Sequence, residues 1–381
     1  MKRYEKWYKS LIVIIFFSII LISSINYFVD PYNIYKTSTY NKFNEQKIET
    51  KEYLMKAREL VYKNPNTIFL GSSRTKMGLD PFYFQKITGE RAYNVGLSNS
   101  NILIHKSYLQ YAISNNSSLK RVILGIDFES FNIKTNESKQ FNDDRLTTKY
   151  FIKDDLVTTL ITERALKDSL KVIIDNYTQS ARYINENTLA NGSQNEEQIL
   201  SKNQKLLAAG QNSFYKHLKS QFDYNILSNE FQLSDNNFDI LKEIVTLCAE
   251  NNIQLDVFLQ PVHALQLEGI VATGIWSEFE EWKRQIVEIT PVWDFTGYNS
   301  ITTSPPVNFD YYIDQSHYRK KIGNLIINRM MNIEPSKVPH DFGVLLTKDN
   351  IEKHLKTIRY KRDVWGDRNP KIVNRVKGLV E

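Results

Sequence analysis

The chain has little of what braces a small secreted scaffold or holds a metal. Its 381 residues include a single cysteine, Cys248, which excludes an intramolecular disulfide and a cysteine-rich zinc site. Cys248 falls in an apolar helical stretch and reads as a buried structural thiol. The six histidines are scattered, with no His-Glu-x-x-His pair, so zinc-dependent chemistry is not expected. No Walker lysine or second glycine accompanies Gly71-Ser72-Ser73, which sets aside a phosphate-cradling nucleotide site. Charge of one sign is also scarce. The net charge of +6 is mild, and much of the basic excess sits at the two ends. That pattern fits tails near an anionic surface better than a nucleic-acid groove. No cofactor, metal or nucleic-acid partner is therefore expected.

What is present begins with a long apolar run. Leu11 to Val29 is interrupted only by Ser18, Ser23, Ser24 and Asn26. Its length of about 19 residues approaches the ~20 that span a bilayer as a helix. Lys2, Arg3, Lys6 and Lys9 precede it and favour a cytoplasmic N-terminus. No small-x-small cleavage site follows, so a retained anchor is expected in preference to a cleaved signal peptide. The rest of the chain is then expected outside the cytoplasmic membrane. Asp30-Pro31 ends the helix, and residues 36–50 read as a polar linker.

An alternating α/β pattern follows. A helical period over Thr50–Lys63 leads into a strand, Thr67-Ile68-Phe69-Leu70, which ends in Gly71-Ser72-Ser73. Asp80-Pro81 opens a short helix, with aspartate as cap and proline in the first turn. Ala92 to Val95 and Arg121 to Ile126 read as further strands, with a helix from Ile102 between them. Residues 132–232 break the pattern, being rich in Asn, Gln, Ser and Lys. They read as an insertion over the sheet's crevice: either a substrate lid or partner surface, or a plain surface excursion. The pattern resumes with Ser234 as a helix cap, a strand at Leu255–Leu259, a helix around Trp282 and a last strand at Val292–Phe295. Tyr318 to Met331 is the final helix of the core. Beyond Pro335 the chain is expected to leave the core, with a basic helix over Asp349–Tyr360 and an extended cationic stretch from Arg362 to Lys377. Alternation of this kind implies a parallel sheet with helices on both faces.

Two short motifs carry chemistry. A serine just past the end of a buried strand lies where open α/β sheets put their ligands. A hydroxyl alone is a poor nucleophile, so Ser73 needs a base. Asp314-Gln315-Ser316-His317 supplies one: the carboxylate reaches one imidazole nitrogen of His317 and leaves the other for the serine.

With Gly71-Ser72-Ser73, Asn94-Val95-Gly96 and Asp314-Gln315-Ser316-His317 in this order, the chain resembles the SGNH (GDSL-like) hydrolase family. The likeness is to membrane-anchored members found with bacterial cell-surface polysaccharide genes. It covers roughly residues 60–130 and 235–330. It implies a three-layer, flavodoxin-like α/β fold with a parallel sheet, a catalytic set Ser73, Asp314 and His317, and an oxyanion hole from the N–H groups of Ser73 and Gly96. Ser72 stands where many members have aspartate and is assigned to turn support. The chain departs from the family at Asp127, where an asparagine is expected. An ionised carboxylate opposes an oxyanion. Either Asp127 is aimed elsewhere, or the hole uses another donor, or activity is weak. Arg74 either holds substrate or pairs with a buried carboxylate such as Asp127. His263, at the end of a core strand, either lines the pocket or is a packed histidine. Asp294 is assigned to turn structure.

The expected organisation is an anchor at 1–35, a hydrolase-like domain at 36–335 with the insertion 132–232, and a basic extension at 336–381. The expected activity is a serine esterase or O-acetyltransferase on acyl esters of cell-surface or exported polysaccharide, with the membrane and polysaccharide biosynthesis or export proteins as partners. The alternative is a non-catalytic scaffold or carbohydrate-binding component of an export complex.

Overall fold

A computed structural model describes residues 2–48, 50–135, 138–178, 189, 191–197, 211–305 and 310–380. The helices up to the first long break are α1 (Lys2–Val29), α2 (Glu52–Lys63), α3 (Ser73–Gly78), α4 (Pro81–Thr88), α5 (Ile102–Asn115), α6 (Lys153–Leu156) and α7 (Glu163–Tyr177). After it come α8 (Gln211–Asp223), α9 (Asp235–Glu250), α10 (Ala264–Ala272), α11 (Trp276–Ile289), α12 (Lys320–Met331), α13 (Ile351–Arg368) and α14 (Pro370–Val380). The strands are β1 (Thr67–Leu70), β2 (Ala92–Asn94), β3 (Arg121–Ile126), β4 (Gln254–Leu259), β5 (Val292–Asp294) and β6 (Val344–Leu346).

The chain divides into two compact units, Met1–Glu59 with Asn142–Thr188, and Leu60–Phe141 with Leu189–Glu381. The stretch read from sequence as one insertion, 132–232, is therefore shared between them, and the supposed linker 36–50 belongs to the first unit.

In the first unit α1 runs on through the whole apolar stretch, with mean hydropathy 2.5 over its most apolar part. It is long and apolar enough to cross a membrane. Its last carbonyls are capped from the segment read as linker: Asn44 Nδ2 donates to Phe28 O at 3.1 Å, and Lys47 Nζ donates to Val29 O at 2.7 Å. Asp30, at φ 46°, then turns the chain and accepts the N–H groups of Ile34 and Tyr35. Tyr32, Ile34, Leu54 and Ala165 form a small core.

The second unit is an α/β sheet with strand order β2-β1-β3-β4-β5-β6. The first five strands are parallel, and β6 pairs antiparallel with β5. Ile68, Phe69, Val122, Ile123, Leu124 and Phe258 are buried, as befits strands covered on both faces. Right-handed crossovers place α4, between β1 and β2, on one face and α5, α9 and α11 on the other, because the chain steps from β1 in one direction and then always in the opposite one. Packing agrees: α9 lies against α5 and α11, and α12 lies against α3 and α4. Since β2 and β3 flank β1 on either side, the chain parts at the C-terminal ends of β1 and β3, and a crevice opens there.

The C-terminal region departs from expectation. The chain does not leave the core at Pro335: β6 extends the sheet beyond the strand expected to be last. Residues Arg362–Lys377 are helical, in α13 and α14, rather than extended. Two arginines of α13 are paired with carboxylates of the core. Arg362 donates to both oxygens of Glu268 at 3.2 Å, and Arg359 donates to Glu280 at 2.5 Å. Ile351, Leu355 and Ile358 give α13 a buried stripe.

Candidate active site

The β1–α3 turn is built so that only glycine fits at its first position. Gly71 has φ +153°, and a Cβ there would lie 2.1 Å from Thr75 Oγ1. Ser72 is the N-cap of α3; its Oγ accepts the Arg74 N–H at 3.3 Å. Ser73 is the first residue of the helix, so its own N–H has no partner within it, and it makes no hydrogen bond to the described residues.

The base expected from the sequence, His317, lies on the loop before α12. Ile313 N–H donates to His317 O at 2.9 Å, and Arg319 N–H donates to Tyr311 O at 2.8 Å, so Asp314 and His317 sit at the tip of a pinned loop. The helix starts only at Lys320, two residues later than read from the sequence. Ser73 Oγ donates to His317 Nε2 at 2.8 Å. His317 Nδ1 donates to Asp314 Oδ2 at 2.9 Å. Asp314 Oδ1 accepts the N–H groups of Ser316 and His317, each at 2.8 Å, which fixes the carboxylate. Burial alone would raise the Asp314 pKa, but His317, His217 and the Ser316 N–H outweigh it and hold the carboxyl well below the usual range. Asp314 is thus an anion, and it orients the His317 ring through Nδ1.

Arg74 is buried and fully engaged. Its Nε donates to Ser316 O at 3.0 Å, its Nη1 to Asp127 Oδ1 at 2.5 Å, and its Nη2 to Glu129 Oε1 at 3.0 Å. It ties α3 to the loop that carries Asp314 and His317 and to the end of β3. Of the two roles open in the sequence, the structure places it in the buried pair. Asp127 follows β3 and lies in the cleft wall. Its second oxygen accepts from Gln260 Nε2 at 3.2 Å, so both oxygens are occupied. Gln260 Oε1 accepts from Tyr318 OH at 3.0 Å and Thr75 Oγ1 at 3.2 Å. Two carboxylates share one guanidinium. Burial raises the Asp127 pKa, while Glu129, held two-pronged by Arg74, stays low against the same burial.

Two residues expected at the site lie elsewhere in it or beside it. The Gly96 N–H donates to Asn94 Oδ1 at 2.8 Å, so it is already used. The glycine is required for a different reason: a Cβ there would lie 2.4 Å from the Lys76 backbone nitrogen. His263 does not line the cleft. It caps α10, accepts the Leu265 N–H at Nδ1 and donates from Nε2 to Ser304 O at 2.8 Å. Its backbone N–H donates to Gln315 O at 2.9 Å, which steadies the base loop from behind. Burial pushes its imidazole down to about 4.

Four residues escaped the sequence reading. Asn99 lines the cleft in the left-handed region, φ +57°, and its N–H makes no hydrogen bond to the described residues. Asparagine tolerates that conformation better than most residues. Glu129 stands two residues after Asp127, and Gln260 directly after β4, both at the sheet edge where the site had to be. His217 on α8 gave no signal. It accepts from Gln315 Nε2 at Nδ1, 3.1 Å away, and its Nε2 lies 3.8 Å from Asp314 Oδ2. The cleft has a volume of about 550 Å³. Beyond Ser73 and His317 its wall carries Asn132, Lys134, Thr135, Gln221, Tyr224 and Asn225, with Ile226 among them.

No protein-family model matches the chain, and no curated protein matches it either.

Proposed function

We propose that the second unit is a serine esterase or O-acyltransferase of the SGNH type. The observation that carries this reading is the relay from Ser73 Oγ through His317 to Asp314, at 2.8 and 2.9 Å. The strand order β2-β1-β3-β4-β5 supports it, because that order is flavodoxin-like and the relay lies at its switch point.

The chemistry follows from the geometry. Ser73 Oγ attacks the ester carbonyl carbon as its proton passes to His317 Nε2. Asp314 stabilises the imidazolium. The carbonyl oxygen, now an anion, meets the free N–H groups of Ser73 and Asn99, the latter in the part first assigned to Gly96. His317 then gives its proton to the departing alcohol oxygen, leaving an acyl-serine. Water or a sugar hydroxyl, deprotonated by His317, releases the acyl group. The amides and hydroxyls of the cleft wall, with Tyr224 among them, suit an acetylated glycan. The basic flank before α1 supports an N-terminus inside and the site outside the cytoplasmic membrane. The scaffold reading drew on an Asp127 anion facing the oxyanion and on the large insertion; the pairing of Asp127 with Arg74 and Gln260 weighs against the first of these.

A fluorophosphonate probe tests the reading on the detergent-solubilised chain. The expected result is one covalent adduct on Ser73, absent in Ser73→Ala and suppressed in His317→Ala. An unreactive parent chain, or label that persists in Ser73→Ala, would overturn it.

A further inference from the structure

The first unit contains a polar contact in an unusual place. Asn26 lies within the apolar run of α1 yet is fully buried. Its Nδ2 donates to Leu160 O at 2.7 Å, and its Oδ1 accepts from Ser169 Oγ at 2.7 Å. Along α1, Leu11 to Leu21 are exposed, and cover begins only at Ile22. At 1.5 Å per residue, Asn26 lies about 4.5 Å short of Val29 and roughly 22 Å beyond Leu11. A hydrocarbon core is about 30 Å thick. If Leu11–Val29 spans it, the segment that carries Leu160 touches α1 at the level of the outer boundary.

That segment is α6, a single π turn over Val157–Ile161, and the start of α7. Several of its polar groups are turned inward, while Lys153, Asp154, Glu163, Arg164 and Lys167 face outward. Asp155 and Thr159 are buried, with Arg145 donating to Asp155 and Thr159 Oγ1 donating to Asp155 O. Asp168 is buried and accepts from Tyr32 OH at 2.8 Å. Three of its aliphatic side chains are turned outward: Leu156, Val157 and Ile161 are 38%, 36% and 41% exposed. Leu170 and Ile174 follow on the open face of α7. Single exposed aliphatics need no explanation. A group of them beside the apolar surface of α1, at the depth where it ends, does.

We propose that Leu156–Ile174 is an interfacial collar, with Leu156, Val157 and Ile161 seated at the headgroup–acyl boundary of the leaflet from which α1 emerges. The occupant is lipid, because the collar continues the surface of α1 and meets it at the membrane boundary. Asn26 is the lock between the two, and its buried hydrogen bonds set the height of the collar on the anchor. This rests on α1 being a membrane span.

Single cysteines at Phe17, Val157 and Ile161 in the full chain, labelled with an environment-sensitive fluorophore, test it in vesicles of phosphatidylcholine and phosphatidylglycerol. Cys248 is buried, and the chain with no added cysteine sets the background. The labels at 157 and 161 should be quenched several-fold more by a nitroxide high on the acyl chain than by one near its end, and be shielded from aqueous iodide. The label at 17 should show the reverse depth preference. Labels at 157 and 161 open to iodide, with 17 quenched by lipid, would overturn the collar and leave the anchor. Labels shielded from iodide but untouched by lipid nitroxides would mean a protein surface covers the patch, and would also overturn it. A label at 17 that no lipid nitroxide reaches would remove the anchor and the collar together.

Discussion

At the scale of residues, the site is a set of hydrogen bonds that each remove one freedom. Ser73→Ala and His317→Ala are expected to lower turnover of a small aryl acetate by roughly three or more orders of magnitude each. The double variant should lose little more, because the relay acts as a unit. Ser72→Ala should keep most activity, since Ser72 Oγ serves the helix cap. A dead Ser72→Ala beside an active Ser73→Ala would move the nucleophile. Arg74 gives a stability prediction. Arg74→Met leaves Asp127 and Glu129 buried without their cation, which should cost about 3–5 kcal/mol. A lowered denaturation midpoint checks this. Asp127→Asn should give no gain in esterase rate, because its carboxylate already faces Arg74 and Gln260 rather than the nucleophile.

At the scale of elements, two buried histidines make stability depend on pH. His105 on α5 and His263 at the cap of α10 are both pushed down to about 4 by burial. An unfolded imidazole titrates near 6.5, so between about 6.5 and 4 the unfolded chain binds more protons than the folded one. Stability is therefore full above about 6.5 and is lost as pH falls toward 4, by as much as about 3 kcal/mol per histidine. Chemical denaturation at several pH values measures the slope. His263→Asn keeps a capping side chain and should flatten that slope. An unchanged slope would mean that neither the burial nor the cap governs it. At the other sheet edge, Lys283 is buried with its Nζ 2.6 Å from Asp294 Oδ2, and His354 on α13 donates to the same oxygen at 2.8 Å. Asp294, read from sequence as turn structure, is thus also the point where the C-terminal helices are held to β5.

At the scale of the molecule, α14 packs against α8, which forms part of the cleft wall. Arg375 on α14 stacks over the Tyr215 ring at 3.8 Å and donates to Asn212 at 2.8 Å, and Val376 is fully buried. Both partners lie on α8, which also carries His217 and part of the cleft wall. Deleting residues 370–381 should therefore raise KM for a glycan ester several-fold while changing kcat much less. Steady-state kinetics with the full-length and shortened chains check this, and equal KM values would show that α8 holds its place alone. For the anchor, a reporter joined after Glu381 should be active only if it requires folding outside the cytoplasmic membrane. Activity of a cytoplasm-only reporter at that position would reverse the topology.

Local pattern sufficed for the parts of this protein that depend on local chemistry. Short apolar runs bounded by polar or turn residues marked β1 to β5, the long run marked α1, and Asp80-Pro81 marked α4, because strand burial and helix caps are properties of a few adjacent residues. Ser73, Asp314 and His317 were legible for the same reason: each stands at the end of a recognisable element. What the sequence left open was decided by contacts between distant residues. Arg74 had two readings until Asp127, Glu129 and Ser316 were brought to it. Gly96 read as an oxyanion donor until Asn94 took its N–H. His217 and Asn99 carried no periodic signal, since one is a lone histidine on a helix and the other a loop residue in a left-handed turn. The charged tail from Arg362 read as extended; the core carboxylate that Arg362 pairs with, Glu268, lies 94 residues earlier, and only the folded chain sets the two side by side.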